Sequence, residues 1–175
     1  QLIPNASVLE IWGMVGSSPA QERHNGFRDA LAKRTDVTFR PVEGEWRYDV
    51  AARRLKEIDF SQPIDFVYAH NDMMAIAARE HFMALDSVRG KALPIIGMDA
   101  VANAGLEAVA DGRINVSFLY PTGGEQLIRT AMQLIRGEQV DKYTPLSSGL
   151  VDQEAARTLL LQAERLSNYQ QRIET

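Results

Sequence analysis

The sequence of 175 residues contains no cysteine, and this absence excludes disulfides, cysteine-ligated metal sites and catalysis by a thiolate. It also lacks any run near the ~18 consecutive apolar residues of a membrane span. The first residues, QLIPNAS, lack the basic and apolar regions of a signal peptide. A strand-like segment follows at once, so we expect the chain to be a piece of a longer protein.

Positive charge is also scarce. The net charge is −4, the isoelectric point is about 5.4, and the one basic cluster is ARRLK at 52–56. Nucleic-acid-binding surfaces are usually basic patches, whereas a short charge run is more typical of a solvated helix face. We therefore predict no nucleic-acid partner. A hydrophobic content of 45% and a charged content of 24% are ordinary for one soluble globular domain.

Motifs for metals, cofactors and catalysis are missing as well. His24, His70 and His81 do not have zinc-ligand spacing, and we interpret them as ordinary surface or hydrogen-bonded histidines. The segment GMVGSSP at 13–19 lacks the lysine of a P-loop and the spacing of a dinucleotide fingerprint. No GxSxG elbow is present. We predict no metal, no cofactor and no enzymatic activity, with an α/β enzyme kept as a rival hypothesis.

What the sequence does contain is a regular alternation of short apolar runs and amphipathic stretches. The predicted strands are 7–16, 37–44, 64–70, 93–99, 114–120 and 147–152. The predicted helices are 18–34, 48–58, 72–85, 102–112 and 123–139, followed by a terminal helix. Such alternation indicates βαβ units. It predicts an α/β fold, a doubly wound parallel sheet flanked by helices, over residues 1–152.

Local signals define several helix ends. Ser18 is the predicted N-cap of the first helix, with Pro19 at the first helical position. Asp72 is a candidate N-cap of the third helix. Gly112 is predicted to close the fourth helix at the C′ position.

The segment YAHNDMM at 68–74 ends an apolar strand on hydrogen-bonding side chains at the start of a helix. These side chains either cap the helix or bind a ligand. In open α/β sheets, ligands bind outside the carboxyl ends of the strands. The residues predicted at that edge are Trp46, Asn71, Asp72, Asp99 and Tyr120, and Arg23 on the first helix points toward it.

These residue types suit a carbohydrate. Asparagine donates and accepts hydrogen bonds, aspartate accepts them, and arginine donates in a fork, so together they can bind neighbouring hydroxyls. Trp46 either covers the core or stacks on the apolar face of a sugar ring.

The tail from 153 to 175 has a helical pattern with no stop signal. A 4-3-7 apolar spacing runs through it, with a glutamine where a heptad requires an apolar residue; these positions are Leu159, Ala163, Leu166, Gln170 and Ile173. We keep two interpretations: a terminal helix packed on the domain, or the start of a coiled coil that would support a homodimer.

Four segments carry a family resemblance: PAQERHNGFRDAL, YAHNDMMAIAA, IIGMDA and DGRINVSFLYPTGGEQLIRTAMQLIRGE. Together they resemble the type 1 periplasmic sugar-binding proteins, the family of the ribose-binding protein, which also gives the effector domains of Lac-repressor-like regulators. The resemblance covers about residues 7–152. It implies two α/β lobes joined by a three-stranded hinge, with the sugar between them. This chain is similar to the second lobe, so the first lobe would precede Gln1, and the helix at 123–139 would pack on that first lobe.

The resemblance also implies roles for single residues. Arg23 matches the family's sugar-binding arginine in the R..GF motif, Trp46 an aromatic that stacks on the sugar, and Asp99 the aspartate of the G.D motif.

The ND.MA motif makes Asn71 the ligand group and Asp72 the helix cap. The family's last ligand, often a glutamine, falls at Leu119, with Tyr120 adjacent. That departure leaves the choice of sugar open.

The terminal helix resembles that of the sensor domains of membrane-bound histidine kinases, especially hybrid two-component sensors. This implies a periplasmic sensor domain for a small sugar, attached to the membrane only through segments outside this sequence, which signals by lobe closure. The alternatives are a soluble binding component of an ABC transporter and the effector domain of a LacI-type regulator.

Overall fold

A computed structural model describes residues 4–173, with side chains described at 4–86 and 89–165. The strands are β1 (Ser7–Trp12), β2 (Thr38–Glu43), β3 (Phe66–Ala69), β4 (Ile95–Ile96), β5 (Ser117–Phe118) and β6 (Leu150–Val151). The first four form a parallel sheet in the order β2-β1-β3-β4. β5 joins the β4 edge through two parallel bridges, Ile96–Val116 and Asp99–Leu119, and pairs antiparallel with β6.

Helices flank the sheet on both faces, which confirms the predicted fold class. They are α1 (Ser18–Ala30), α2 (Tyr48–Lys56), α3 (Asp72–Leu85), α4 (Ser87–Ala92), α5 (Gly105–Ala110), α6 (Gly124–Ile135) and α7 (Gln153–Ile173). Among the residues described, no helix has both the length and the apolar character needed to cross a bilayer.

The predicted elements are mostly longer than the observed ones. The fourth strand covers two residues rather than 93–99, and α5 covers 105–110 rather than 102–112. The helix α4 was not predicted, because its sequence SVRGKA has a central glycine and no apolar periodicity.

Two predictions about helix ends have different outcomes. The N-cap of α1 is Ser17 rather than Ser18, so Pro19 occupies the second helical position. A proline is tolerated there because the N–H groups of the first turn have no partner within the helix. The predicted C′ glycine is confirmed, since Gly112 follows the C-cap residue of α5 with φ +83°.

The larger core lies on the face of the sheet covered by α2, α3 and α5. Leu9, Ile11, Val67 and Ile95 of the strands are fully buried there. α1 covers the opposite face, where Phe27 contacts a smaller cluster formed by Val8, Phe66 and Tyr68. Strands buried on both faces explain the nearly continuous apolar runs in the sequence.

The first turns of α7 pack on the larger core through Ala156 and Leu159. The side chains of Leu166, Gln170 and Ile173 lie outside the described residues. The coiled coil and the homodimer through this helix therefore stay predictions.

All twelve residues of α6 keep at least part of their surface exposed, although the helix is strongly amphipathic. Leu127, Ile128 and Ile135 are 69%, 64% and 77% exposed. Within the described part of the chain, the apolar face of α6 is therefore not part of either core.

Candidate ligand-binding site

Arg23 is at the centre of the predicted site. It extends from α1 to the carboxyl ends of the strands, where its Nη1 donates to the His70 carbonyl and its Nη2 lies 3.0 Å from Asp99 Oδ1. The Arg23 side chain is 11% exposed and that of Asp99 is 28% exposed. These two bonds use two of the five N–H donors of the guanidinium group.

Two aromatic rings flank the Arg23 guanidinium. Its Cζ lies 5.0 Å from the ring centroid of Trp46 and 5.3 Å from that of Tyr120. Both distances are within the range of cation–π attraction. The structure thus brings Arg23, Trp46, Asp99 and Tyr120 into one group at the sheet edge.

Trp46 belongs to a short turn between β2 and α2. Glu45 and Trp46 both have left-handed backbones, with φ of 53° and 65°. The indole packs so closely over Gly13 that a Cβ at this position would overlap the ring. Trp46 is therefore partly a cover of the core, while its remaining surface faces the Arg23 group.

Asn71 is the N-cap of α3, and the predicted cap at Asp72 is wrong. The Asn71 backbone is extended, and Oδ1 accepts from the Met74 N–H at 3.0 Å. Its Nδ2 donates to the Trp46 carbonyl at 2.9 Å. Asp72 is already the first helical residue, so the cap position falls on the asparagine. The amide of Asn71 thus serves both the helix and the Trp46 turn; its role as a ligand group stays a prediction.

Asp99 follows β4 in an unusual backbone conformation. Its φ is 111°, that of Ala100 is 50°, and the Asp99 N–H donates to the Phe118 carbonyl at 2.9 Å. Burial raises the pKa of Asp99, and the Arg23 guanidinium works against that rise. Tyr120 donates its backbone N–H to the Asp99 carbonyl at 3.2 Å. Tyr120 and Leu119 are 56% and 36% exposed.

A buried carboxylate beneath the site was not predicted. Glu10 is 1% exposed, with Oε1 2.9 Å from His24 Nδ1 and 3.1 Å from His70 Nε2. Since Gly13 N–H donates to His70 Nδ1, the His70 proton lies on Nε2 and points at Glu10. Burial acts to raise the pKa of Glu10, but the hydrogen bonds of the two histidines work against that rise, and the pKa is lowered. The one signal in the sequence was a glutamate inside the apolar strand SVLEIW.

The Asp72 carboxylate is a second buried group whose role the sequence did not show. Its Oδ2 accepts from the Ala100 N–H at 2.7 Å, and its Oδ1 accepts from Ser117 Oγ at 2.6 Å. Burial raises the pKa of Asp72 to about 6, against the effect of these two hydrogen bonds. Among the described residues, no three histidine, aspartate or glutamate side chains converge as metal ligands.

The structure is thus an α/β domain with a group of charged and aromatic side chains at the strand ends, and sequence comparison assigns it to a family. Residues 1–139 match the family described as the periplasmic binding protein domain, and the chain belongs to that family. It is 30% identical over 156 residues to the ribose import binding protein of Escherichia coli K12, a match that covers 83% of this chain and 49% of that protein. It is 29% identical over 116 residues to the galactofuranose-binding protein of the same organism, covering 63% and 36%. The chain thus spans about half the length of the curated relatives it matches.

Solved structures agree with this assignment. The fructose-binding periplasmic domain of a hybrid two-component system is 32% identical, with a TM-score of 0.83 over 97% of this chain and 57% of that one. A Mycobacterium smegmatis protein in complex with β-D-fucofuranose is 26% identical, with a TM-score of 0.78 over 91% and 53%. The predicted family resemblance is confirmed at the level of periplasmic binding proteins with ribose-binding relatives.

Proposed function

We propose that this chain contributes one wall of a site for a small sugar in an extracytoplasmic receptor. The observation that carries this proposal is the Arg23–Asp99 pair, 3.0 Å apart, between the rings of Trp46 and Tyr120. One group that donates and one that accepts lie side by side, next to apolar ring surface. That combination matches adjacent hydroxyls on a sugar whose C–H face is apolar.

The chemistry expected at this wall is binding without turnover. The Asp99 carboxylate accepts a hydrogen bond from one hydroxyl, and the unused Arg23 N–H groups donate to the oxygen of a neighbouring hydroxyl. Trp46 and Tyr120 cover the apolar face of the ring. Asn71 has one amide hydrogen left after its bonds to Met74 and Trp46, and we assign that hydrogen to the ligand.

We further propose that the receptor is a periplasmic sensor of a two-component system. Two observations support this role: the similarity to the fructose-binding domain of a hybrid two-component system, and the 21-residue helix α7 that follows the last strand. Sugar bound between two lobes would favour one lobe arrangement, and α7 would pass on that population shift. The similarity to the ribose import binding protein favours a second candidate, the soluble binding component of an ABC transporter.

Thermal unfolding of the intact protein against a panel of D-fructose, D-ribose and L-arabinose tests sugar binding. A sugar that binds only the folded state stabilises it by about 2.7 kcal/mol at a hundred times its Kd. Mass spectrometry of the recovered sugar then separates binding from turnover. A sugar that returns chemically altered would contradict a binding role, and a flat panel would contradict recognition of these sugars.

Two arginines of α1 provide a matched pair of variants. Arg23→Ala leaves the Asp99 carboxylate without its counter-charge, so we expect it to weaken sugar binding by roughly 2 kcal/mol or more. Arg28 stacks on Phe39, with its Cζ 3.8 Å from the ring centroid, and Arg28→Ala should leave affinity unchanged. Equal affinities of the two variants, measured by calorimetry, would overturn the site assignment.

The sensor role needs a separate experiment. Membranes that contain the intact receptor should show sugar-dependent autophosphorylation. Recovery of the protein as a free periplasmic component whose deletion abolishes uptake of the sugar would instead support transport.

A further inference from the structure

Three consecutive residues at the start of α3 each make a hydrogen bond to a different part of the site. The His70 carbonyl accepts from Arg23, and Asn71 Nδ2 donates to the Trp46 carbonyl. Asp72 Oδ2 accepts from the Ala100 N–H. This arrangement answers why the strand ends on hydrogen-bonding residues. Two of the three bonds go to backbone groups, so they fix the loops that carry the site side chains.

Both of those loops have a costly backbone conformation. Each contains two successive non-glycine residues with positive φ: Glu45 (53°) and Trp46 (65°) in one, Asp99 (111°) and Ala100 (50°) in the other. Residues other than glycine persist in this region only where the surrounding structure restrains them.

Asp72 restrains the second loop on both sides of Asp99. Its backbone N–H donates to the Met98 carbonyl at 2.9 Å, and its Oδ2 accepts from the Ala100 N–H at 2.7 Å. Oδ1 is fixed in turn by Ser117 Oγ at 2.6 Å. The carboxylate is 1% exposed, so water does not replace these partners.

The space around the carboxylate is specific for it. A Cβ at Gly97 would overlap Oδ1, and one at Gly105 would overlap Oδ2. Only glycine at these two positions leaves room for the Asp72 side chain between β4 and α5.

We propose that Asp72 is a positioning residue for ligand binding, which restrains the Asp99–Ala100 turn so that the Asp99 carboxylate faces Arg23 and the ligand. The inference rests on the proposed sugar site, and it assigns the role to a residue that does not itself touch the ligand. Asp72 acts through backbone conformation. Its loss should therefore be compensated by any change that lets the turn form unaided.

Glycine at position 100 provides that compensation, because glycine adopts positive φ without a steric penalty. We would measure the affinity of the intact protein for D-fructose and D-ribose by calorimetry. Asp72→Ala removes the acceptor of the Ala100 N–H and should lower the affinity roughly tenfold, a ratio typical of strain at one such residue. The double variant Asp72→Ala/Ala100→Gly should return to within about threefold of the wild type, with Ala100→Gly alone nearly unchanged.

Arg79, two turns further along α3, is the matched control for a loss of stability. It is buried, and it bonds the Arg113 carbonyl at 2.7 Å and Asn115 Oδ1 at 3.1 Å. Arg79→Met should lower the unfolding midpoint with no change in affinity. Wild-type affinity in Asp72→Ala, or a loss that Ala100→Gly does not restore, would overturn the proposal.

Hydrogen exchange of the Ala100 amide gives a reading that needs no sugar. We expect this amide to exchange roughly tenfold faster in Asp72→Ala, while the Met74 amide, bonded by Asn71, keeps its rate. Unchanged exchange at Ala100 would contradict the proposed restraint. If the wild type binds neither sugar, the proposed function fails for these ligands, while the exchange comparison still decides whether Asp72 restrains the turn.

Discussion

Two buried carboxylates below the site show how partners decide the charge of a residue. Glu10 and Asp72 are each 1% exposed, so burial acts to raise both pKa values. Glu10 has two imidazoles beside it, and their hydrogen bonds lower its pKa. Asp72 has a hydroxyl and a backbone amide, whose hydrogen bonds do not offset burial, and its pKa stays raised at about 6.

The raised pKa of Asp72 predicts a pH-dependent cost. In the folded state the Asp72 carboxyl group keeps its proton up to about pH 6, whereas in the unfolded chain it loses the proton at about pH 3.8. The stabilisation of the folded state by protonated Asp72 is therefore fully present below pH 3.8 and is lost as pH rises through 6. Asp72→Asn does not titrate. As pH rises from 4 to 7, we expect the unfolding free energy of Asp72→Asn to increase relative to that of the wild type by on the order of 2 kcal/mol.

Urea unfolding of the two proteins at both pH values measures this difference. All other titratable groups are shared, so they largely cancel in the comparison. A constant difference, or one that moves the other way, would contradict the raised pKa. Together with the proposed positioning role, the result would show a residue that gives up stability near neutral pH for the geometry of the site.

The turns between elements depend on close packing that only a few glycines permit. The β1–α1 turn passes directly beneath the Trp46 indole at Gly13. The backbone N–H of Gly13 also donates to His70 Nδ1 at 3.3 Å. The turn after β2 and the turn after β1 are therefore packed as a pair.

Gly13→Ala should displace Trp46, because the new methyl group overlaps the ring. We expect a loss of roughly 1–3 kcal/mol in the free energy of unfolding, as for other overpacked sites, together with weaker sugar binding. Gly26→Ala is the control within α1, since its Cβ meets open space. That change should stabilise the protein by about 0.5–1 kcal/mol.

Thermal unfolding, and calorimetry with a sugar that stabilises the wild type, test both variants. A Gly13→Ala protein with wild-type affinity would show that the position of the Trp46 ring is not needed for binding.

Stability is distributed unevenly over the chain. Leu55 of α2 is fully buried in the larger core, whereas Leu127 of α6 is 69% exposed. The helices α2 and α3 therefore stabilise the domain, and α6 contributes little to it.

Leu55→Ala should cost about 2–5 kcal/mol of unfolding free energy, because it removes buried methyl groups and leaves a cavity. Leu127→Ala should change that free energy by less than about 0.5 kcal/mol, as for other exposed positions. Urea unfolding of both variants measures the contrast. A large loss for Leu127→Ala would mean that the α6 face is buried in the molecule under test.

Much of this protein follows from its local sequence. Alternating apolar runs predicted the element order and the α/β class, since such patterns depend only on neighbouring residues. The strand-end rule selected Trp46, Asn71, Asp72, Asp99 and Tyr120, and Arg23 of the first helix was expected to point toward them. The structure brings Trp46, Asp99 and Tyr120 together around the Arg23 guanidinium group. Element lengths and the helix α4 were less predictable, because strand ends depend on pairing with neighbouring strands and SVRGKA has no apolar periodicity. The N-caps were each wrong by one residue, because adjacent residues have similar capping preferences.

Tertiary structure alone decided how that group is held in place. The pairing of Glu10 with His24 and His70, the bond from Asn71 to the Trp46 turn, and the contact of Asp72 with Ala100 join residues 14 to 60 positions apart. No local pattern contains such distances. Asn71 and Asp72 are both good capping residues, and only the backbone conformation at the end of β3 made one the cap and left the other to fix the turn that carries Asp99.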